Sequence, residues 1–248
     1  MSGHSKWSQI KRSKGAKDAK RGLVFSKLSR KITIAAKGGN SDPALNFQLR
    51  TEIEAARAEG MPNDNIDRAI KKASSAEAVA IKEAVYEGYG PFGTAFLVEV
   101  VTDSTNRAVQ NIKHSFTKHG GSLGAMGSVA WQFEVKGQIL IARIKNQESG
   151  IRNKIPELSE LELIAIDAGA DDVRESAEGL EVYTKPENLQ SIKQALVAAG
   201  ANITQAQIIK ESSQGVDLTE EQKPKVEALF AELEDNEDVV AVHTSANL

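Results

Sequence analysis

The stretch "EEQKPKVEALFAELEDNEDVVAVHT", residues 220–244, poses the packing problem that decides the fold. It reads as an acidic helix over 220–233, with Val226, Leu229, Phe230 and Leu233 on one side, followed by the strand "DVVAVHT". A lone helix and strand cannot bury a core. Upstream, "AIKEAVYEG" and "TAFLVEVVT" read as strands around a Gly-Pro turn. Val109, Ile112 and Phe116 mark a helix over 105–119, stopped by Gly120 and Gly121. "SVAWQFEV" alternates Val129, Trp131 and Phe133, the pattern of a strand with one buried face. This ββαβ unit has a sheet but one helix to cover it, so the tail is expected to return and complete it.

What lies between the two reads as complete by itself. Strands at 138–142, 172–175, 180–184 and 203–209 alternate with helices at 157–168 and 187–199, in the order βαββαβ of a ferredoxin-like unit. Short links at Lys136-Gly137 and over 212–215 suit two crossings between adjacent domains, which makes this unit an insertion.

Three amphipathic helices come first. Over 17–37, Phe25, Leu28, Ile32 and Ala36 share one face, and Lys20, Lys27, Arg30 and Lys31 lie opposite. Leu23 and Arg21 break that division. Gly38-Gly39 ends the helix. The next opens with Asp42 as N-cap and Pro43 at the first helical position, carries Leu45, Leu49, Ile53 and Ala56 inward, and stops at Gly60. "MPNDNIDRAIKKAS" opens a third, capped by Asn63 or Asp64, with Ile66, Ile70 and Ala73 inward. Short amphipathic helices with tight joints make a small bundle, and "SSAEA" reads as the linker after it. The expected architecture is α+β and multidomain: a basic three-helix domain over 1–76, an α/β domain from 77–136 plus 211–248, and the inserted ferredoxin-like domain over 137–210.

Charge is divided as sharply as structure. The 248 residues carry a formal net charge of -3, yet the first 37 hold eleven bases against one acid, Asp18. That segment is therefore +10, and residues 38–248 carry -13. Lysine and arginine gathered on one part of a chain are the footprint expected for a phosphate backbone. Lys6, Lys11, Arg12 and Lys14 form an arm, Lys17, Lys20, Lys27, Arg30 and Lys31 a helix, and Trp7 among them can stack on a base or sugar. These residues are the candidate nucleic-acid site. A membrane surface also attracts bases, but the apolar face is modest and two further helices follow to bury it. The acidic remainder would keep the protein from coating nucleic acid indiscriminately.

Other chemistries find little support. No cysteine means no disulfide, thiol nucleophile or thiolate metal site. "GYGPFG", residues 88–93, satisfies a dinucleotide fingerprint but leads into a strand instead of a helix, so it reads as a hairpin turn. His114 and His119 stand five apart, about 140° around a helix, and cannot clamp one metal from one face. The acids of "AELEDNED" read as a solvated run, and no G-x-S-x-G elbow occurs. No catalytic residue, metal, cofactor or small-molecule substrate is expected. An enzyme pocket, were there one, would lie near Asp103, Asn106 and Arg107. The longest apolar run, "TAFLVEVV", is interrupted by Glu99 and too short to span a bilayer. The basic start lacks the apolar segment of a secretory signal. A cytoplasmic monomer is the default expectation.

Several blocks together resemble the YebC/PmpR family: "GHSKW", "EGMPNDNIDRAIKKA", "YEGYGP", "LVEVVTDSTNRAV" and "GGSLGAMGSVAWQF". The resemblance spans essentially the whole chain. It implies three domains, the last inserted into the middle one, and a non-enzymatic regulator of gene expression. Members are described as probable transcriptional regulators that bind promoter DNA. Others, including the mitochondrial translational activator of cytochrome oxidase, act on ribosomes, which makes ribosomal RNA and relief of stalling at proline-rich stretches the alternative. This chain departs from the family at Phe92, where members usually carry glycine; a turn that needed positive φ there would be strained.

Overall fold

The computed structural model describes residues 17–75, 81–143, 157–176 and 179–248, with side chains from residue 21 onward. In chain order the elements are α1 (Lys17–Lys37), α2 (Phe47–Ala58), α3 (Asn63–Lys72), β1 (Lys82–Tyr89), β2 (Ala95–Thr102), α4 (Thr105–Lys118), β3 (Ser122–Leu123), β4 (Phe133–Ala142), α5 (Leu158–Asp167), β5 (Asp172–Ser176), β6 (Gly179–Thr184), α6 (Leu189–Ala198), β7 (Ile203–Ser212), β8 (Val216–Asp217), α7 (Lys223–Asp235), β9 (Val239–Thr244) and β10 (Ala246–Asn247). They form an α+β fold, with helices first and two α/β sheets after them. The chain divides into two compact units, residues 1–133 with 212–248, and residues 134–211.

In the larger unit the tail does return. The sheet order is β3-β1-β2-β9, so the C-terminal strand lies beside β2, antiparallel, with Phe96 opposite Thr244 and Val98 opposite Val242. On one face, Phe96, Val98 and Val100 pack with Ile112 and Phe116 of α4 and with Val226, Leu229, Phe230 and Leu233 of α7, all nearly inaccessible. Burying six side chains of the tail, those four with Val239 and Val242, is worth on the order of 10 kcal/mol before chain entropy. The rings of Phe96 and Phe116 meet edge to face at 5.9 Å. A β-carbon at Gly88 would lie 2.7 Å from the Phe116 ring, so only glycine fits beneath it.

The first three helices pack through Ile32, Ala35, Ala36, Leu49, Ile53, Ala56, Met61, Ile66 and Ala69. The second starts four residues later than the sequence pattern predicts. Asn46, not Asp42, caps it, accepting the Leu49 N–H at 3.0 Å, while its amide donates to the carbonyls of Ala35 and Asn40 at 2.8 Å each. Asp42 instead closes a turn on Ala44, and Leu45 is 73% exposed. An asparagine that caps one helix while bonding the end of another outcompetes an aspartate with local partners alone.

"GYGPFG" is a turn, as its strand context predicts. Pro91–Gly93 form a single 3-10 turn closed by the Thr94 hydroxyl, which donates to the Pro91 carbonyl at 2.8 Å. Phe92 adopts φ 60°, ψ 25°, the left-handed region. Lys225 stands 5.8 Å from the centre of its ring. A second correction concerns "SVAWQFEV": the strand begins at Phe133, and Ala130–Gln132 are a 3-10 turn that turns Trp131 outward.

The smaller unit has strand order β5-β6-β4-β7, the ferredoxin-like arrangement, with Leu161 and Ala165 of α5 and Leu189, Ile192 and Leu196 of α6 covering Ile139, Ile141, Leu180 and Val182. Along the other face, the Gln138 amide donates to the Tyr183 hydroxyl at 3.2 Å, which donates to Glu181 at 2.8 Å. Arg174 stacks 4.4 Å from the Tyr183 ring and reaches Glu211 at 2.8 Å.

Candidate nucleic-acid interface

Helix α1 carries two apolar or docking stripes on opposite faces. At 100° per residue, Phe25, Leu28, Ile32 and Ala36 lie on one side, and Leu23, Lys27, Arg30 and Ile34 lie on the other. The first stripe faces α2 and α3, with the Thr33 hydroxyl donating to the Ala69 carbonyl at 2.9 Å. The second faces the C-terminal end of α7 and the start of β9.

There the expectation of a solvent-facing basic surface is corrected. The Lys27 ammonium donates to the Glu234 carbonyl in the last turn of α7, where the helix dipole places partial negative charge. The Arg30 guanidinium donates to the carbonyls of Val101 at 3.2 Å and Glu237 at 2.6 Å, and to the Asp238 carboxylate at 3.1 Å. Asp238 is fully buried. Its second partner is Arg107, whose Nη2 lies 3.0 Å from Oδ1 and whose Nε lies 3.3 Å from Oδ2. Arg107 also reaches Asp103 at 3.0 Å. The hydrogen bonds and charge of Asp238 push the Arg107 guanidinium above its ordinary range. Burial, then the charge of Asp238, raises the Tyr86 phenol. A buried carboxylate is tolerable when two guanidinium groups share it, so Arg30 and Arg107 lock α1 to the sheet. Asp103 and Arg107, where an enzyme pocket was considered, serve this junction.

The remaining bases have other settings. Lys31 is half-buried, with no partner among the described residues. The Lys37 ammonium donates to the Ile81 carbonyl at 3.2 Å. Lys17 and Lys20 lie in the first turn of α1. Lys6, Trp7, Lys11, Arg12 and Lys14 lie outside the described residues. Bases that the sequence reading passed over stand at the end of α3: Arg68, Lys71 and Lys72 are exposed on the side opposite Ile66, Ala69, Ile70 and Ala73. The inward stripe of "NDNIDRAIKKA" was the signal, since it forces those three outward. His119 meets Glu232 across α4 and α7 at 2.8 Å. Among the described residues no group of histidine and acidic side chains could hold a metal ion, and no helix is long and apolar enough to cross a membrane.

A basic helical segment anchored by a buried carboxylate to a sheet, with a ferredoxin-like unit over residues 134–211 between the two stretches of the larger unit in chain order, defines an α+β protein. Residues 5–76 match the TACO1/YebC protein N-terminal domain, and residues 81–246 match the TACO1/YebC second and third domain. The chain belongs to the TACO1/YebC family. It is 47% identical over 249 residues to a protein of Desulfatibacillum aliphaticivorans named "Probable transcriptional regulatory protein", covering 100% of this chain and 97% of that one. A protein of Enterococcus faecalis with the same name is 47% identical over 247 residues, covering 99% of each. The crystal structure of a conserved hypothetical protein from Aquifex aeolicus matches with a TM-score of 0.81 at 41% identity, covering 94% of this chain and 93% of that one.

Proposed function

We propose that this chain is a non-catalytic regulator of gene expression that binds nucleic acid, duplex DNA in the first instance, through its basic N-terminal segment. The observation that carries the reading is the charge division: +10 over residues 1–37 in a chain whose remainder is -13. The names of its relatives support the regulatory half of it. Lys6, Lys11, Arg12, Lys14, Lys17, Lys20 and Lys31 grip phosphates, and Trp7 stacks. Lys27 and Arg30 have a different task, holding the helix at a fixed attitude so that the arm before it starts from a defined place. Residues 1–76 act as the binding domain, 77–136 with 211–248 as the body, and 137–210 as the insertion.

The test is the salt dependence of affinity for duplex DNA. Each phosphate contact contributes a slope of about -0.9 in log K against log salt. Changing Lys11, Arg12 and Lys14 to glutamate should lower affinity at every sequence tested and flatten the slope by about three. Unchanged affinity and slope would refute the assignment. Ribosome sedimentation at the same salt, with a promoter preference below about tenfold over random duplex, would replace DNA with ribosomal RNA as the polyanion.

A further inference from the structure

The loop between β3 and β4 is built with unusual care for a segment that displays apolar side chains to water. From Gly120 to Phe133 it contains no ionisable residue. The Glu87 carboxylate, 5% exposed, reaches out from β1 and accepts the N–H of Gly127 at 2.6 Å and those of Val129 and Ala130 at 2.7 Å each. The Glu87 carbonyl accepts a fourth, from Gly124, at 2.7 Å. Val129 is fully buried against Ala95, Leu97 and Phe133. A β-carbon at Gly121 would sit 2.5 Å from the Tyr89 carbonyl, and one at Gly124 2.5 Å from the Ser128 hydroxyl. At Gly121 the loop is pressed against the end of β1 so closely that glycine is required, and at Gly124 it folds tightly onto its own Ser128.

On this support, Met126 is 94% exposed, Trp131 64% and Tyr89 39%. The Trp131 Nε1–H and the Tyr89 hydroxyl both donate to the Ser128 carbonyl, at 3.1 and 2.9 Å. Both rings are thereby oriented, and both have spent their donors inside the protein. What they offer outward is flat, polarisable surface without a hydrogen-bonding code.

We propose that Met126, Trp131 and Tyr89 form a stacking platform for unpaired bases of a single-stranded nucleic acid. The inference rests on the reading of the protein as a nucleic-acid binder. Charge selects the occupant: a platform on a segment without ionisable residues suits the uncharged, aromatic part of a polyanion, not its phosphates. Stacking on aromatic side chains is tolerant of sequence, as expected where ring donors are already engaged. A loop held by four hydrogen bonds loses little freedom on binding.

The experiment uses the full chain carrying Trp7→Phe, which leaves Trp131 as the one indole of the two in the sequence. Anisotropy of labelled 20-nucleotide oligo(U), oligo(dT) and an abasic phosphodiester strand of equal length reports binding, and Trp131 emission reports stacking. Both base-bearing strands should quench Trp131, and the abasic strand should bind through its phosphates without quenching. Trp131→Ala should weaken the base-bearing strands by about five- to a hundredfold and leave the abasic strand unchanged, and Trp131→Phe should restore most of the loss. The tighter of oligo(U) and oligo(dT) names the source of the base. Unaltered emission at saturation, or equal affinity after Trp131→Ala, overturns the platform and leaves a protein surface as its occupant. Anisotropy that moves with none of these single strands overturns the platform, and if labelled duplex DNA in the same buffer also leaves it unmoved, the nucleic-acid reading falls as well.

Discussion

Replacing Asp238 by asparagine tests the junction that holds α1 to the sheet. The change preserves shape, so no cavity opens, but it removes the charge shared by Arg30 and Arg107. Breaking a buried pair by removing one partner costs about 3–5 kcal/mol. Here the two arginine side chains left behind are 25% and 43% exposed, against 0% for the aspartate, so they regain some hydration and the cost falls near about 3 kcal/mol. In a chain of this size that lowers the thermal midpoint by about 6–12 °C. The control is Asp103→Asn, which also removes a carboxylate 3.0 Å from Arg107, but one that is 64% exposed; it should cost under about 1 kcal/mol. Circular dichroism melts of both variants at low and at 1 M salt give the answer. The Asp238 effect should survive high salt, because a buried pair is poorly screened. Equal midpoints for the two variants would refute the claim that Asp238 anchors the helical domain.

Two further outcomes follow from the same structure. Burial alone would raise the Glu232 carboxyl, but hydrogen bonds from Lys118, His119 and Ser115 outweigh it and bring its pKa down to about 2. A depressed carboxylate stabilises the fold above its unfolded value near 4.5, and that stability is lost as pH falls towards about 2. Glu232→Gln should therefore flatten the pH dependence of urea midpoints below pH 4.5, and an unchanged acid limb would count against these bonds. At Phe92, a left-handed conformation costs a bulky residue about 1–2 kcal/mol. Phe92→Asn should then gain about 0.5–1 kcal/mol in urea unfolding, and Phe92→Val should lose about 1 kcal/mol; a valine variant as stable as the parent would contradict the turn geometry.

Much of the fold was legible because short-range rules settle it. The run from Lys17 to Lys37 ends where Gly38-Gly39 predicts, and the βαββαβ order needed only the alternation of periodicities. The tail was placed by elimination, since four apolar side chains on one helix must find a sheet. Local pattern failed where two local answers were equally good. Asp42 and Asn46 are both sound caps, and the choice between them was made by the carbonyls of Ala35 and Asn40. Val129, Trp131 and Phe133 alternate in a strand or a turn alike, and the Glu87 carboxylate, drawing three N–H groups towards itself, made the turn.

The amino-acid order by itself determined where the positive charge is gathered and which helix carries it, because charge and helical spacing are properties of neighbours along the chain. It even placed Leu23 and Ile34 in line with Lys27 and Arg30, the mark of a second packed face. Whether those two cations meet solvent or protein was decided only in the folded molecule. Their acceptors at Glu234, Glu237 and Asp238 lie more than 200 residues further on, and a cation's partner is whatever the tertiary structure brings within about 3 Å.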